Sequence, residues 1–194
     1  QEYLDAVDLT HREFYEKLIE SDVLPTTCQV PPAEFEKAYE KMVADGDTAV
    51  VVTISSKLSG TYQSAMIAAD DYENVFVVDT GSVAMGGGIL AEYALQLLDE
   101  GKSAAEIAAA LEETKKKIVV VALVDTLEYL KKGGRISKTV AFAGSLLAIK
   151  PVVALKGGEI VLLGKARGSR QGNNLLVQEI GNAGGVDFSK PVLL

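Results

Sequence analysis

Two short stretches concentrate hydroxyl side chains: Ser55, Ser56, Ser59 and Thr61 in one, Thr80 and Ser82 in the other. Each follows an apolar, β-branched run, 48–54 and 75–78, and each leads into a helical pattern. In an open parallel sheet such turns stand outside the carboxyl ends of the strands. There the free backbone N–H groups of the next helix point outward and favour an anion. Gly60 would let a ligand approach the backbone closely. Helix capping accounts for any one of these hydroxyls, but not for so many in two adjacent turns. The chemistry they offer is the holding of a carboxylate or phosphate. Thr27 adds a further hydroxyl in a loop. Arg135 directly follows Gly133-Gly134, among Lys131, Lys132 and Lys138. The cluster reads either as a solvated basic face beside a helix C-terminus or as a guanidinium turned inward toward an anion.

Other chemistries lack their residues. One histidine, His11, and one cysteine, Cys28, make neither a disulfide framework nor a zinc site from Cys and His alone, so no metal and no cofactor is expected. His11 falls in the first turn of a polar helix, and Cys28 has no partner base, so a Ser-His-Asp or thiol nucleophile is not expected. Gly101-Lys102-Ser103 has Gln96 where a phosphate loop needs its first glycine. Gly86-x-Gly88-x-x-Ala91 matches a loose dinucleotide fingerprint, yet it begins several residues after its strand, and tight helix packing is the simpler expectation.

The elements that must position these residues are legible in turn. Thr10 and Glu13 form a capping box for a helix over 11–20, and Pro31-Pro32 opens a helix whose Phe35, Tyr39 and Met42 share one face. A strand over 48–54, a helix over 61–69, a strand over 75–78, a helix over 83–100 and one after the Ser103/Glu106 capping box follow, the pattern of a parallel sheet. A strand over 118–124, a short helix over 127–132 capped by Thr126, a helix over 137–148, and runs at 151–155 and 159–163 separated by Lys156-Gly157-Gly158 come next. That last pair is a hairpin signal. A helix over 173–180 and a strand at 191–194 complete the chain. The fold expected is α/β with two subdomains, a doubly wound parallel sheet over 1–115 and a mixed or antiparallel α/β unit over 116–194.

The 194 residues suffice for one or two small domains, with 48% hydrophobic and 24% charged residues. The net charge of -8 is divided. Residues 1–115 carry 7 Lys and Arg against 22 Asp and Glu, and residues 116–194 carry 12 against 5, a net of -15 on one half and +7 on the other. Such a chain is a poor binder of nucleic acid, and charge complementarity between the halves explains the split. No run approaches the ~18 apolar residues of a membrane helix, and no signal peptide is visible, so a cytoplasmic location is expected.

The sequences 55–65 (SSKLSGTYQSA), 78–80 (VDT), 125–137 (DTLEYLKKGGRIS) and 149–151 (IKP), in this order and spacing, resemble the DegV family of bacterial fatty-acid-binding proteins. The resemblance runs through essentially the whole chain. It implies a two-domain α/β carrier, not an enzyme, that encloses one long-chain fatty acid between its domains. The carrier would present the carboxylate to a separate fatty acid kinase, feeding phospholipid synthesis, with transient membrane contact. Carried over residue by residue, the carboxylate would be held by Thr27 and by Ser59 with Gly60 of the Ser-Gly-Thr turn, with Arg135 as the arginine after the glycine pair. Thr61 and Ser82 are accessory hydroxyls. At the first of these sites Cys28 stands where the family has Ser, while Thr27 and Gln29 match. The family's opening strand and its C-terminal region with a His near the ligand are not in the chain, which implies a piece lacking both ends. Two other classes remain: an enzyme using the same cradle for a phosphorylated or acyl substrate, and an interaction module whose basic half docks an acidic partner.

Overall fold

The computed structural model describes residues 2–4, 7–136 and 149–189. Its elements are α1 (His11–Glu20), α2 (Pro32–Ala44), β1 (Ala49–Thr53), α3 (Thr61–Ala69), β2 (Val75–Asp79), α4 (Met85–Asp99), α5 (Ala104–Thr114), β3 (Val121–Leu123), α6 (Glu128–Lys132), β4 (Ile149–Lys156), β5 (Glu159–Arg167) and α7 (Gly168–Asn182), with a 3-10 turn at Lys115–Lys117. The helix expected over 137–148 and the strand at 191–194 lie outside the described residues.

β1 and β2 pair in parallel, from Ala49 opposite Val75 to Thr53 opposite Asp79, with α3 as the crossover between them. Their β-branched runs are unbroken because both faces are covered. On one face Val50, Val52 and Val78 meet Leu90 and Leu97 of α4 and Ile107 and Leu111 of α5. On the other, Val51, Val75 and Val77 meet Phe35, Tyr39 and Met42 of α2 and Ala68 of α3. The Tyr39 phenol donates to the Ala65 carbonyl at 3.4 Å, and burial pushes its pKa above the usual tyrosine value.

A second sheet is antiparallel, in the order β3-β4-β5. Gly157 and Gly158, at φ 59° and 83°, make the two-residue turn between β4 and β5, a conformation that side chains with a Cβ resist. α7 lies against this sheet so closely that a Cβ on Gly172 would stand 2.5 Å from Cδ1 of Leu123. The protein is thus α/β, with a parallel sheet wound on both faces and a separate antiparallel sheet.

Several boundaries differ from expectation, β4 and β5 running on past the expected 151–155 and 159–163 as one hairpin ladder from Ile149 opposite Arg167 to Lys156 opposite Glu159. The strand expected over 118–124 is confined to Val121–Leu123, opposite Ala154 to Val152; beyond it single bonds remain, from the Leu155 N–H to the Val120 carbonyl and from the Val124 N–H to the Pro151 carbonyl, and Val119 is exposed. α4 begins at Met85 rather than 83, because Ala84 takes a positive φ of 50° that no helix admits. α7 begins at Gly168, five residues early, because the Gln171 side chain accepts from the Arg167 N–H at 2.6 Å and caps a start that two glycines obscure in the sequence. Among the described residues no helix is long and apolar enough to cross a membrane.

Candidate functional site

The parallel pairing of β1 and β2 ends at Thr53 and Asp79, which brings the two hydroxyl-rich turns side by side. The Ser55 N–H donates to the Ser82 carbonyl at 2.8 Å and the Thr80 N–H to the Thr53 carbonyl at 3.2 Å. Asp79 Oδ1 spans both turns, accepting from the N–H groups of Ser56 at 3.2 Å and Gly81 at 2.8 Å. Lys115 Nζ donates to the Asp79 carbonyl at 2.8 Å and pairs with Glu112 at 2.7 Å. The platform is therefore rigid where the strands end.

Part of the hydroxyl chemistry is local. Ser59 Oγ accepts from the Thr61 N–H at 3.3 Å and lies 3.0 Å from Thr61 Oγ1, and the Ser82 N–H donates to Thr80 Oγ1 at 3.0 Å. Such bonds are those of side chains capping turns. Two hydroxyls go further. Ser55 Oγ, fully buried, donates to the Gly158 carbonyl at 2.7 Å and so ties the first turn to the β4–β5 hairpin. Ser82 Oγ is buried with no hydrogen-bond partner among the described residues.

Beside this platform a cavity of about 240 Å³ is lined by Thr27, Cys28, Ile54, Leu58, Ser59, Val83, Leu130, Arg135 and Ile160. Three separated polar residues, Thr27, Ser59 and Arg135, thus share one wall system. Arg135 is turned onto the first loop: its Nε donates to the Leu58 carbonyl at 3.0 Å and its Nη1 to the Gly133 carbonyl at 2.6 Å. The residue as a whole remains exposed. Lys132 instead pairs with Glu128 at 2.5 Å on the exposed side of α6.

A second cavity of about 310 Å³ shares Ile54 and Val83 with the first and continues along β1 and α4 past Thr53, Thr80, Ser82, Gly87, Gly88 and Ala91. The second volume reaches the lower end of the range of small-ligand sites and the first falls below it, and the lining of both is mainly apolar with a few polar groups. Gly87 leaves room there, whereas Gly86 serves packing: a Cβ on it would stand 1.9 Å from Ser82 Oγ. The first of the dinucleotide-like glycines is accordingly a close-packed residue of the helix start.

Gly60 departs from expectation. The space its missing Cβ leaves is filled by the Gln29 carboxamide, whose Oε1 would lie 1.8 Å from that Cβ, so the glycine admits a protein side chain rather than ligand. Cys28, exposed, lines the first cavity, and His11 lies on the exposed surface of α1. Sequence reasoning missed the apolar lining, Ile54, Val83, Leu130 and Ile160, because such residues read identically in a closed core. Among the described residues no three His, Cys, Asp or Glu gather to hold a metal.

Residues 1–189 match the model of a family described as "Uncharacterised protein, DegV family". The chain belongs to the DegV family. A DegV domain-containing protein of Caldanaerobacter subterraneus subsp. tengcongensis is 35% identical over 190 residues, 97% of this chain and 67% of that protein. A DegV family protein from Thermus thermophilus, whose structure is described as one of fatty acid binding, superposes with a TM-score of 0.84 at 37% identity, covering 93% of this chain and 65% of the other. The Streptococcus pneumoniae Fatty Acid Kinase (Fak) B3 protein loaded with linoleic acid superposes with the same score at 26% identity, covering 95% and 66%. The chain therefore spans about two thirds of the length of these DegV relatives.

Proposed function

We propose that this DegV chain carries a long-chain fatty acid, with its carboxylate at Thr27, Ser59 and Arg135 and its tail running past Ile54 and Val83 along α4. The acid would lie between a unit ending near residue 115 and one beginning near 116. The observation that carries the reading is the meeting of those three polar residues, from three distant segments, in a cavity whose Ile54 and Val83 also line a second, mainly apolar one. About 15 methylenes at ~0.8 kcal/mol each supply on the order of 12 kcal/mol as an upper bound, so few polar contacts are needed. Their task is to offset the burial of a carboxylate, which hydroxyls and a guanidinium do through charge-assisted hydrogen bonds.

The polar end is accessible. Thr27, Cys28 and Arg135 are exposed, so a second protein could reach a carboxylate held there. That placement, together with the likeness to a protein described as part of a fatty acid kinase, supports presentation to such a kinase for acyl-phosphate formation. The chain itself then supplies binding rather than turnover.

Native and denaturing mass spectra of the purified chain test the reading. A non-covalent mass in the fatty-acid range, present only under native conditions, is expected. Gly87 lines the second cavity, and a Cβ there meets nothing within 4 Å, so Gly87→Leu should fold normally and fill the path. The retained acids should shorten by roughly two to four carbons, the size of the side chain added. An unchanged mass distribution would remove the tail path, and no uptake of added fatty acid by the unmodified chain would remove the carrier.

A further inference from the structure

The segment from Asp22 to Val30 brings Thr27 and Cys28 to the first cavity, yet it has no backbone hydrogen bond to the rest of the protein among the described residues. Ser21 and Val23 bond only to each other and to α1. Farther along, Gln29 Nε2 donates to Ser64 Oγ at 3.0 Å and ties the segment to α3. Ser64 is fixed: it is 1% exposed in α3, and its N–H donates to the Gly60 carbonyl at 3.0 Å. Gly60 supplies the seat, since a Cβ there would stand 1.8 Å from Gln29 Oε1 and 2.7 Å from its carboxamide carbon. The φ of Gly60 is -75°, which any residue adopts, so the backbone does not require glycine at this position and the carboxamide does.

We propose that Gln29 is a positioning residue, a latch that clips the Thr27–Cys28 wall of the cavity onto the start of α3 and thereby sets how long an acyl ligand stays. The proposal deepens the carrier reading and rests on it for the ligand. Its physical content is that one side-chain contact across 35 residues aligns the Thr27 hydroxyl with Ser59, which lines the same cavity. An unlatched wall still carries Thr27, but no longer holds it in place, and the ordering must then be supplied at binding.

The experiment measures release of deuterated hexadecanoic acid from the loaded chain during a chase with the unlabelled acid. Gln29→Ala should speed release about fivefold to tenfold, the scale of one hydrogen bond in water, with little change in melting temperature. Gly60→Ala should do the same by evicting the carboxamide, and the double variant should be no faster than either single, because both remove one contact. A merely structural effect of each substitution would add instead. Release from Gln29→Ala at the unmodified rate, or additive singles, would overturn the latch. Cys28 is the only cysteine, so a spin label placed there reports the wall without ligand. Its mobility should rise in both singles, and unchanged mobility would overturn the latch even if the chain took up no fatty acid, an outcome that separately removes the carrier reading.

Discussion

Replacing Thr27 and Ser59 together by alanine should lower retention of a long-chain fatty acid by about a hundredfold or more. Each hydroxyl that donates to an ionised carboxylate contributes roughly 1.5–3 kcal/mol, and 1.4 kcal/mol is tenfold in affinity. The loss falls on binding alone. Thr27 is exposed in a segment that Gln29 ties to α3, and among the described residues Ser59 gives up only the 3.3 Å bond to the Thr61 N–H and its contact with Thr61 Oγ1. The melting temperature should therefore move by no more than a few degrees. Cys28→Ser, at the adjoining position of the same wall, serves as the control and should retain ligand. Titration with a fluorescent fatty acid measures all three chains, and an affinity within threefold of the unmodified chain in the double variant would take Thr27 and Ser59 out of the site.

The residues of this prediction were legible in the sequence, and so was most of the frame around them. The capping boxes at Thr10 and Ser103, the paired prolines before α2 and the double glycine between β4 and β5 are local signals, read within a few residues, and each places its element where the structure has it. What failed was non-local. β3 pairs over three residues only, Val121–Leu123, an extent set by β4 and not by any local pattern. The start of α4 hangs on the backbone of Ala84, a residue whose type gives no hint of a positive φ. At the site the same division holds. The hydroxyls announced an anion cradle by their clustering, and a long-range family pattern joined Thr27 and Arg135 to it. Gln29 and Gly60, in contrast, owe their pairing to an approach between a loop and a helix start, and the glycine by itself suggested room for ligand.

Gly158→Ala should destabilise the fold by about 3 kcal/mol, and the comparison that isolates the reason is Gly157→Ala. Both glycines have left-handed φ, 59° and 83°, so an alanine at either costs about 1–2 kcal/mol of backbone strain. They differ in what a Cβ meets: nothing within 4 Å at Gly157, but Ser55 Oγ at 2.7 Å at Gly158. There the added methyl displaces the hydroxyl that donates to the Gly158 carbonyl, and a buried polar group left without its partner costs about 1–3 kcal/mol more. For a chain of this length the difference between the two variants corresponds to roughly 4–6 °C in melting temperature. The consequence reaches the site. Ser55 opens the loop that carries Leu58 and Ser59, its carbonyl accepting their N–H groups at 2.9 and 3.1 Å, and the hairpin carries Ile160, which lines the same cavity. The bond between Ser55 and Gly158 therefore joins two segments that both line the cavity. Gly158→Ala should lose fatty acid faster than Gly157→Ala when both are studied well below their melting transitions. Equal melting temperatures and equal release would mean that the contact between Ser55 and the hairpin neither holds the sheets together nor shapes the cavity.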